Sequence, residues 1–176
     1  MSRFLVDARL PGMRDDVDDL SDAWARERPD LDLSPVAVFS RITRLARHLD
    51  QARRDAFAAH QIELWEFDVL AALRRAGAPY QLSPGRLLRE TMVTSGTMTN
   101  RVDRLAARGL VERYPDPDDR RGVIVRLTPE GRTCVDGAFG ALLDAERALL
   151  DDLPERDRAK LAGLLRTLLA PYADRG

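Results

Sequence analysis

The sequence predicts a mainly α-helical chain with one two-stranded β-ribbon in its second half. Three observations predict it. Apolar residues recur at helical spacing along most of the chain, proline and glycine fall where helices should start and stop, and only residues 110–127 alternate as strands do. A chain of 176 residues suits one domain with helical extensions, and 44 % hydrophobic residues are enough for a core.

The first dozen residues carry no periodic pattern. Met13, Val17, Leu20 and Trp24 then form one apolar stripe on an acidic helix. Pro29 ends it, and Ser34-Pro35 reads as the cap of a long helix from about 35 to 60, with Val38, Ile42, Leu45 and Leu49 on one face. LWEFDVLAALRRAG (64–77) makes a third helix. Residues 77–85, GAPYQLSPG, read as a turn, and Ser83-Pro84 caps a short helix over 84–91. A tight turn, TMVTSG, leads into a helix from Thr94 or Ser95 to about Arg108, with Gly109 at its C-terminal cap. LVERY (110–114) and VIVRL (123–127) are strands joined by the charged tip PDPDDRRG. TPEG (128–131) starts another helix and Pro154 the last.

Composition narrows the function. The net charge is −1, yet residues 84–126 hold nine arginines against six acids, while residues 1–33 hold five arginines against nine acids. A local basic region in a neutral chain hints at a nucleic-acid face. Only Lys160 is a lysine, a skew that reads as coding bias. One cysteine, Cys134, excludes an internal disulfide framework and suits a reducing compartment. There is no run of about 18 apolar residues and no signal-peptide pattern, so a cytoplasmic protein without membrane contact is expected.

Short helix, turn, second helix and ribbon is the order of a winged helix-turn-helix. The second helix of that unit has two faces. Met98, Val102 and Leu105 make the core side, while Thr97, Asn100, Arg101 and Arg104 make the opposite side, with Ser95 at its start. Arginine reads guanine in a bidentate manner, asparagine reads adenine, and hydroxyls serve either base or phosphate. Asp103 is the only acid between 94 and 108. Arg120 and Arg121 at the ribbon tip can enter the negative minor groove, or pair with Asp116, Asp118 and Asp119 to stiffen the turn.

The stretch VTSGTMTNRVDRLAARGLVERYPDPDDRRGVIVRLTPEG (93–131) resembles the recognition helix, wing and following helix start of the MarR family of transcription regulators. DPDDRR…VRLTPEG is its most specific part, and the likeness covers about residues 35–173. The resemblance implies a two-fold dimer built from long N- and C-terminal helices and gripping a pseudo-palindromic operator in double-stranded DNA. Residues 1–33 then form an N-terminal extension with an extra helix, 34–62 and 128–176 the helical dimerisation region, and 63–127 the DNA-binding domain.

The acidic helix with Trp24, then RERPDLDL, then LWEFDVLAALRRAGAPYQLSP, is similar to the PecS-like, urate-responsive branch of that family. Its ligand pocket maps onto Trp24, Asp68, Arg75 and Arg113. Asp68 and Arg75 are seven residues apart, so they share a helix face with Leu64, Ala71 and Ala72, where a carboxylate needs a cation or donors. One expectation is an ion pair between them or a bridge to a neighbouring helix. The resemblance implies another: Asp68 holds Arg113, and an anionic aromatic effector, urate or a related purine, stacks on Trp24, pairs with Arg75 and breaks that link. A tricarboxylate or a phenolic acid would suit the same arginines.

Other features carry less. His48 and His60 with one cysteine cannot build a structural zinc site, and no cofactor motif is present. His48 would meet its mate at a dimer centre and act as a pH switch, or sit half-exposed beside Arg44 and Arg47. Cys134 lacks a partner cysteine for oxidant sensing. No nucleophile–histidine arrangement or phosphate loop points to an enzyme. The remaining rival is a helical protein-interaction adaptor, which would lack salt-dependent DNA binding.

Overall fold

The computed structural model describes residues 14–91, 94–117 and 122–175. The expectations placed on Met13, on residues 92–93 and on Asp118, Asp119, Arg120 and Arg121 lie outside the described residues. The chain divides into two compact units, Met1–His48 and Leu49–Gly176.

In the first unit, α1 (Asp16–Glu27) begins with a reciprocal cap. The Asp15 carboxylate accepts from the Val17 and Asp18 amides, and the Asp18 carboxylate accepts from the Asp15 amide. α2 (Ser34–Ala58) starts beside it and runs on into the second unit. The carboxylate at its start is Asp32, which accepts from both the Ser34 amide and hydroxyl, so Ser34 is oriented by Asp32 rather than capping alone. Arg41 joins the two helices through Asp15 at 2.8 Å and Asp18 at 2.9 Å, and Arg44 reaches Asp16 at 2.7 Å. Val17 is fully buried, whereas Trp24 and the α2 stripe of Val38, Ile42 and Leu45 are exposed.

The second unit builds its core around α3 (Leu64–Arg75), which packs against α4 (Pro84–Thr91), α5 (Ser95–Ala107) and α6 (Pro129–Ala148). Val69, Leu70 and Leu73 of α3 meet Leu87, Met98, Val102, Leu105, Val125 and Val135, all buried. Phe57 at the end of α2 stacks on Phe67 with ring centroids 4.3 Å apart. α7 (Glu155–Leu169) follows α6, and a 3-10 turn, Ala170–Arg175, ends the described chain.

β2 (Val111–Pro115) and β3 (Val123–Leu127) form the expected antiparallel ribbon, with Arg113 opposite Val125. A third strand, β1 (Gln81–Leu82), pairs with β3 on its other side, Gln81 opposite Arg126. The sequence places these residues in a turn. The turn exists, with Gly77 and Tyr80 both at positive φ, but it closes into two paired residues because Leu82 is buried over the sheet. Two residues are too few for strand alternation to register.

α3 also corrects the expected place of its difficult carboxylate. Its buried positions are Glu66, Val69, Leu70, Ala71, Ala72 and Leu73, so Leu64, Asp68 and Arg75 lie on the exposed side of the chain. Glu66, 2 % exposed, is the buried acid. Among the described residues no helix is long and apolar enough to cross a membrane.

Candidate nucleic-acid interface

α5 presents the two faces its sequence implies. Met98, Val102 and Leu105 are buried, while Ser95, Thr97, Asn100 and Arg104 are exposed and Arg101 is half-buried. The helix starts at Thr94, whose hydroxyl lies 2.9 Å from that of Thr97, and ends at Arg108 before Gly109 at φ +70°. Glycine at the cap admits this left-handed turn without strain.

Two sets of contacts fix the back end of α5. Arg108 donates to both oxygens of Glu66, each at 2.7 Å, and to the Gln61 carbonyl at 2.8 Å. The second Glu66 oxygen also accepts from the Glu63 amide, closing a cap at the start of α3. Thr128 adds a second tie: its hydroxyl donates to the Gly109 carbonyl and accepts from the Gly131 amide. Gly131 is required here, since a Cβ would sit 2.0 Å from the Leu110 carbonyl oxygen.

The outward face of α5 meets Trp65 from α3. The Arg104 guanidinium carbon lies 4.6 Å from the indole centroid and that of Arg101 5.4 Å, both within cation–π range. Trp65, Gly96, Thr97, Asn100, Arg101 and Arg104 line an open concavity of about 460 Å³. Four of the predicted DNA-contacting residues therefore share one surface. Sequence reasoning missed Trp65, Glu63, Glu66 and Arg108. The Glu63-x-x-Glu66 spacing was the available sign of a cap at this helix start.

The wing is braced from both sides. Arg113 on β2 pairs with Asp103 of α5 at 2.8 Å and donates to the Thr99 carbonyl at 3.3 Å. Arg126 on β3 lies over Tyr114 at 4.6 Å and bonds Gln81 at 2.7 and 2.9 Å. Tyr114 in turn donates to Glu112.

The residues matched to an effector pocket fall as follows. Trp24 is in the first unit and half-exposed. In the second, Arg75 reaches Glu90 of α4 at 3.6 Å rather than Asp68, so the expected bridge to a neighbouring helix forms from Arg75 and the ion pair along α3 does not. Arg113 is engaged by Asp103, and no ion pair closes on Asp68 among the described residues. The expected Asp68–Arg113 link is thus absent, because Asp103 lies within reach of the same guanidinium. Although Asp68 lies on the exposed side, neighbouring protein atoms partly desolvate its carboxyl and push it above its ordinary range, opposed first by Arg101, then by Arg53 and Arg75. Burial likewise pushes the Cys134 thiol up, which weighs against oxidant sensing.

Comparison with known proteins agrees with this geometry. The MarR family model matches residues 60–122. The transcriptional regulator PecS of Dickeya dadantii is 36 % identical over 150 residues, spanning 85 % of this chain and 90 % of PecS. A MarR variant from Escherichia coli complexed with operator DNA superposes with a TM-score of 0.64 at 28 % identity, covering 78 % of this chain and 96 % of that one. Bordetella bronchiseptica BpsR, whose DNA binding is regulated by 6-hydroxynicotinic acid, gives 0.56 at 28 % identity over 73 % of this chain and 98 % of that one. With a winged helix-turn-helix in place and such identity to PecS across most of both chains, the protein belongs to the MarR family of DNA-binding transcription regulators.

Proposed function

We propose that the protein acts in the cytoplasm as a homodimeric repressor that releases a pseudo-palindromic operator on binding a small anionic effector. One observation carries the DNA reading: α5 buries Met98, Val102 and Leu105 and turns Thr97, Asn100, Arg101 and Arg104 outward. Asn100 and Arg101 contact base edges, with Ser95, Thr97 and Arg104 supporting and Arg120 or Arg121 reaching the minor groove. Two such helices, one per chain, address half-sites about one helical turn apart. Arg101→Ala costs roughly 1–3 kcal/mol on the cognate operator and relaxes specificity there. Equal weakening on every sequence would make Arg101 a phosphate contact instead.

The effector is an aromatic anion such as urate or a related purine, with Asp68, Arg75 and Arg113 as its candidate partners in the second unit and Trp24 as a separate candidate in the first. The likeness to PecS and to a relative regulated by 6-hydroxynicotinic acid supports this reading. The route to DNA runs through Arg113, which holds Asp103 and the Thr99 carbonyl of α5. A negative ligand that takes Arg113 releases those ties, and linkage requires DNA to weaken the ligand by the same factor. Thermal unfolding with urate, citrate, salicylate and 6-hydroxynicotinate tests it. A ligand at about 100 times its dissociation constant adds about 2.7 kcal/mol, a rise of roughly 5–10 °C. The rise occurs with urate and is lost in Arg75→Ala. A rise with citrate alone selects the tricarboxylate reading, and no rise with any of the four leaves Asp68 and Arg75 structural.

A further inference from the structure

Glu63 has no part in the contacts a DNA-reading helix needs, yet its carboxylate is set against that helix. One oxygen accepts from the Trp65 indole N–H at 2.7 Å, and the other accepts from Arg104 at 3.2 Å. Arg104 lies on the same indole, so ring, acid and guanidinium form one closed cluster. The acid is also held from behind. Its own amide donates to Glu66, and Glu66 is clamped by Arg108 through two bonds. The pair is solvent-exposed, at 61 % for Glu63 and 55 % for Arg104, yet two donors hold the carboxylate against α5 and narrow its rotamers.

We propose that Glu63, positioned by Trp65, is a specificity-determining residue that occupies Arg104 and withholds it from DNA phosphates unless the recognition helix is seated in its cognate groove. This rests on the reading of the outward face of α5 as the DNA-contacting one. Non-specific binding consists of phosphate contacts with release of counterions, and an arginine already bound to a carboxylate releases none. Pairing with Glu63 and pairing with a phosphate compete for the same guanidinium edge. In the cognate groove the base contacts of Asn100 and Arg101 set the helix so that Arg104 keeps Glu63 on that edge and turns its other N–H groups to DNA, and no pair is broken. Random sequence imposes no such pose. Glu63 therefore lowers affinity for the wrong DNA more than for the right DNA, and selectivity is this difference.

The test uses the full-length dimer, an operator selected from a random pool and a scrambled duplex of equal length, each titrated across a salt series. Glu63→Gln keeps the size of the side chain and an acceptor for the indole but removes the charge. Affinity for scrambled DNA rises about fivefold per chain at 0.15 M salt, and its log–log salt slope steepens by about 0.9 per chain, the value for one phosphate. Operator affinity changes less, so the specificity ratio falls. In an Arg104→Ala background the same substitution has no effect on the slope, because the pair acts as a unit. An unchanged slope in Glu63→Gln, equal gains on both duplexes, or the same gain in both backgrounds would overturn the proposal. Arg104→Ala alone separates the two levels. If it leaves both duplexes unaffected, the reading of the α5 face fails; if it weakens binding while Glu63→Gln changes nothing, only the role of Glu63 fails.

Discussion

Single residues here do work that their neighbours in sequence do not reveal. Gly131 belongs to the TPEG stretch and sits where a Cβ would be 2.0 Å from the Leu110 carbonyl oxygen. The nearest atoms are the Leu110 backbone carbonyl, so the clash cannot be relieved by a side-chain rotamer change. Gly131→Ala is expected to cost about 3 kcal/mol, at the upper end of overpacking, and to lower the melting temperature by roughly 6–12 °C in a calorimetric scan. Asp68 gives a prediction of opposite sign. Exposed at its surface yet partly desolvated by its neighbours, its carboxyl has a raised folded pKa, so its ionised form is the disfavoured one. The penalty is fully present above the folded value and disappears as pH falls below the unfolded value of about 3.9. Asp68→Asn should therefore raise the urea midpoint at neutral pH, with variant and parent converging in acid. A variant less stable at neutral pH would show that Arg101 outweighs the burial cost. The apolar stripe of α3 directed attention to Asp68, but the buried acid is Glu66, whose partner Arg108 stands 42 positions away. Local periodicity carries no record of such a pairing.

Whole elements were easier to foresee. α5 has a clean 3.6-residue period, and its buried trio of Met98, Val102 and Leu105 could be read directly. The ribbon alternates over five residues in each strand and was equally legible. β1 was not, since its two residues take their identity from β3 rather than from themselves. α1 depends on its neighbour through charge. The Arg41 guanidinium, with the capping amides, holds Asp15 below the usual carboxylate range, and the Asp15 amide, then Arg41, does the same for Asp18. Their contribution is complete above about 3.9 and is lost as pH falls through the lower folded values. The protection factors of the α1 amides, taken against the intrinsic exchange rate at the same pH, should fall several-fold in Arg41→Ala at neutral pH, and in the parent on acidification through that window. Exchange indifferent to both changes would mean that Val17 alone secures the helix.

At the scale of the molecule, apolar surface remains to be covered. α7 spans 15 residues with none of them buried, and Leu164, Leu168, Leu169 and Tyr172 at the chain's end are exposed. An isolated helix of that length is marginal in water. In the dimer proposed above these side chains meet a second copy, so stability must depend on chain concentration. The melting temperature is expected to rise with protein concentration, and Leu168→Asp to give a monomer by sedimentation that no longer retains operator DNA. A concentration-independent melting temperature would assign the apolar face another role.

The ties on α5 are unevenly distributed, and that has a mechanical consequence. Arg108 with Glu66, and Gly109 with Thr128, pin its last turn, whereas Ser95 and Thr97 at its front are exposed. Ahead of that turn Met98 packs into the core and Arg113 holds the Thr99 carbonyl, so the helix acts as a beam held most firmly at the rear. Its 13 residues span about 20 Å, so a tilt of about 10° at the clamp carries the front end about 3 Å sideways, roughly the reach of one hydrogen bond. Residues near the clamp scarcely move. A small disturbance at the root thus strips contacts from the tip first, in the order Ser95, Thr97, Asn100, and a partly displaced complex keeps its rear contacts after losing its front ones.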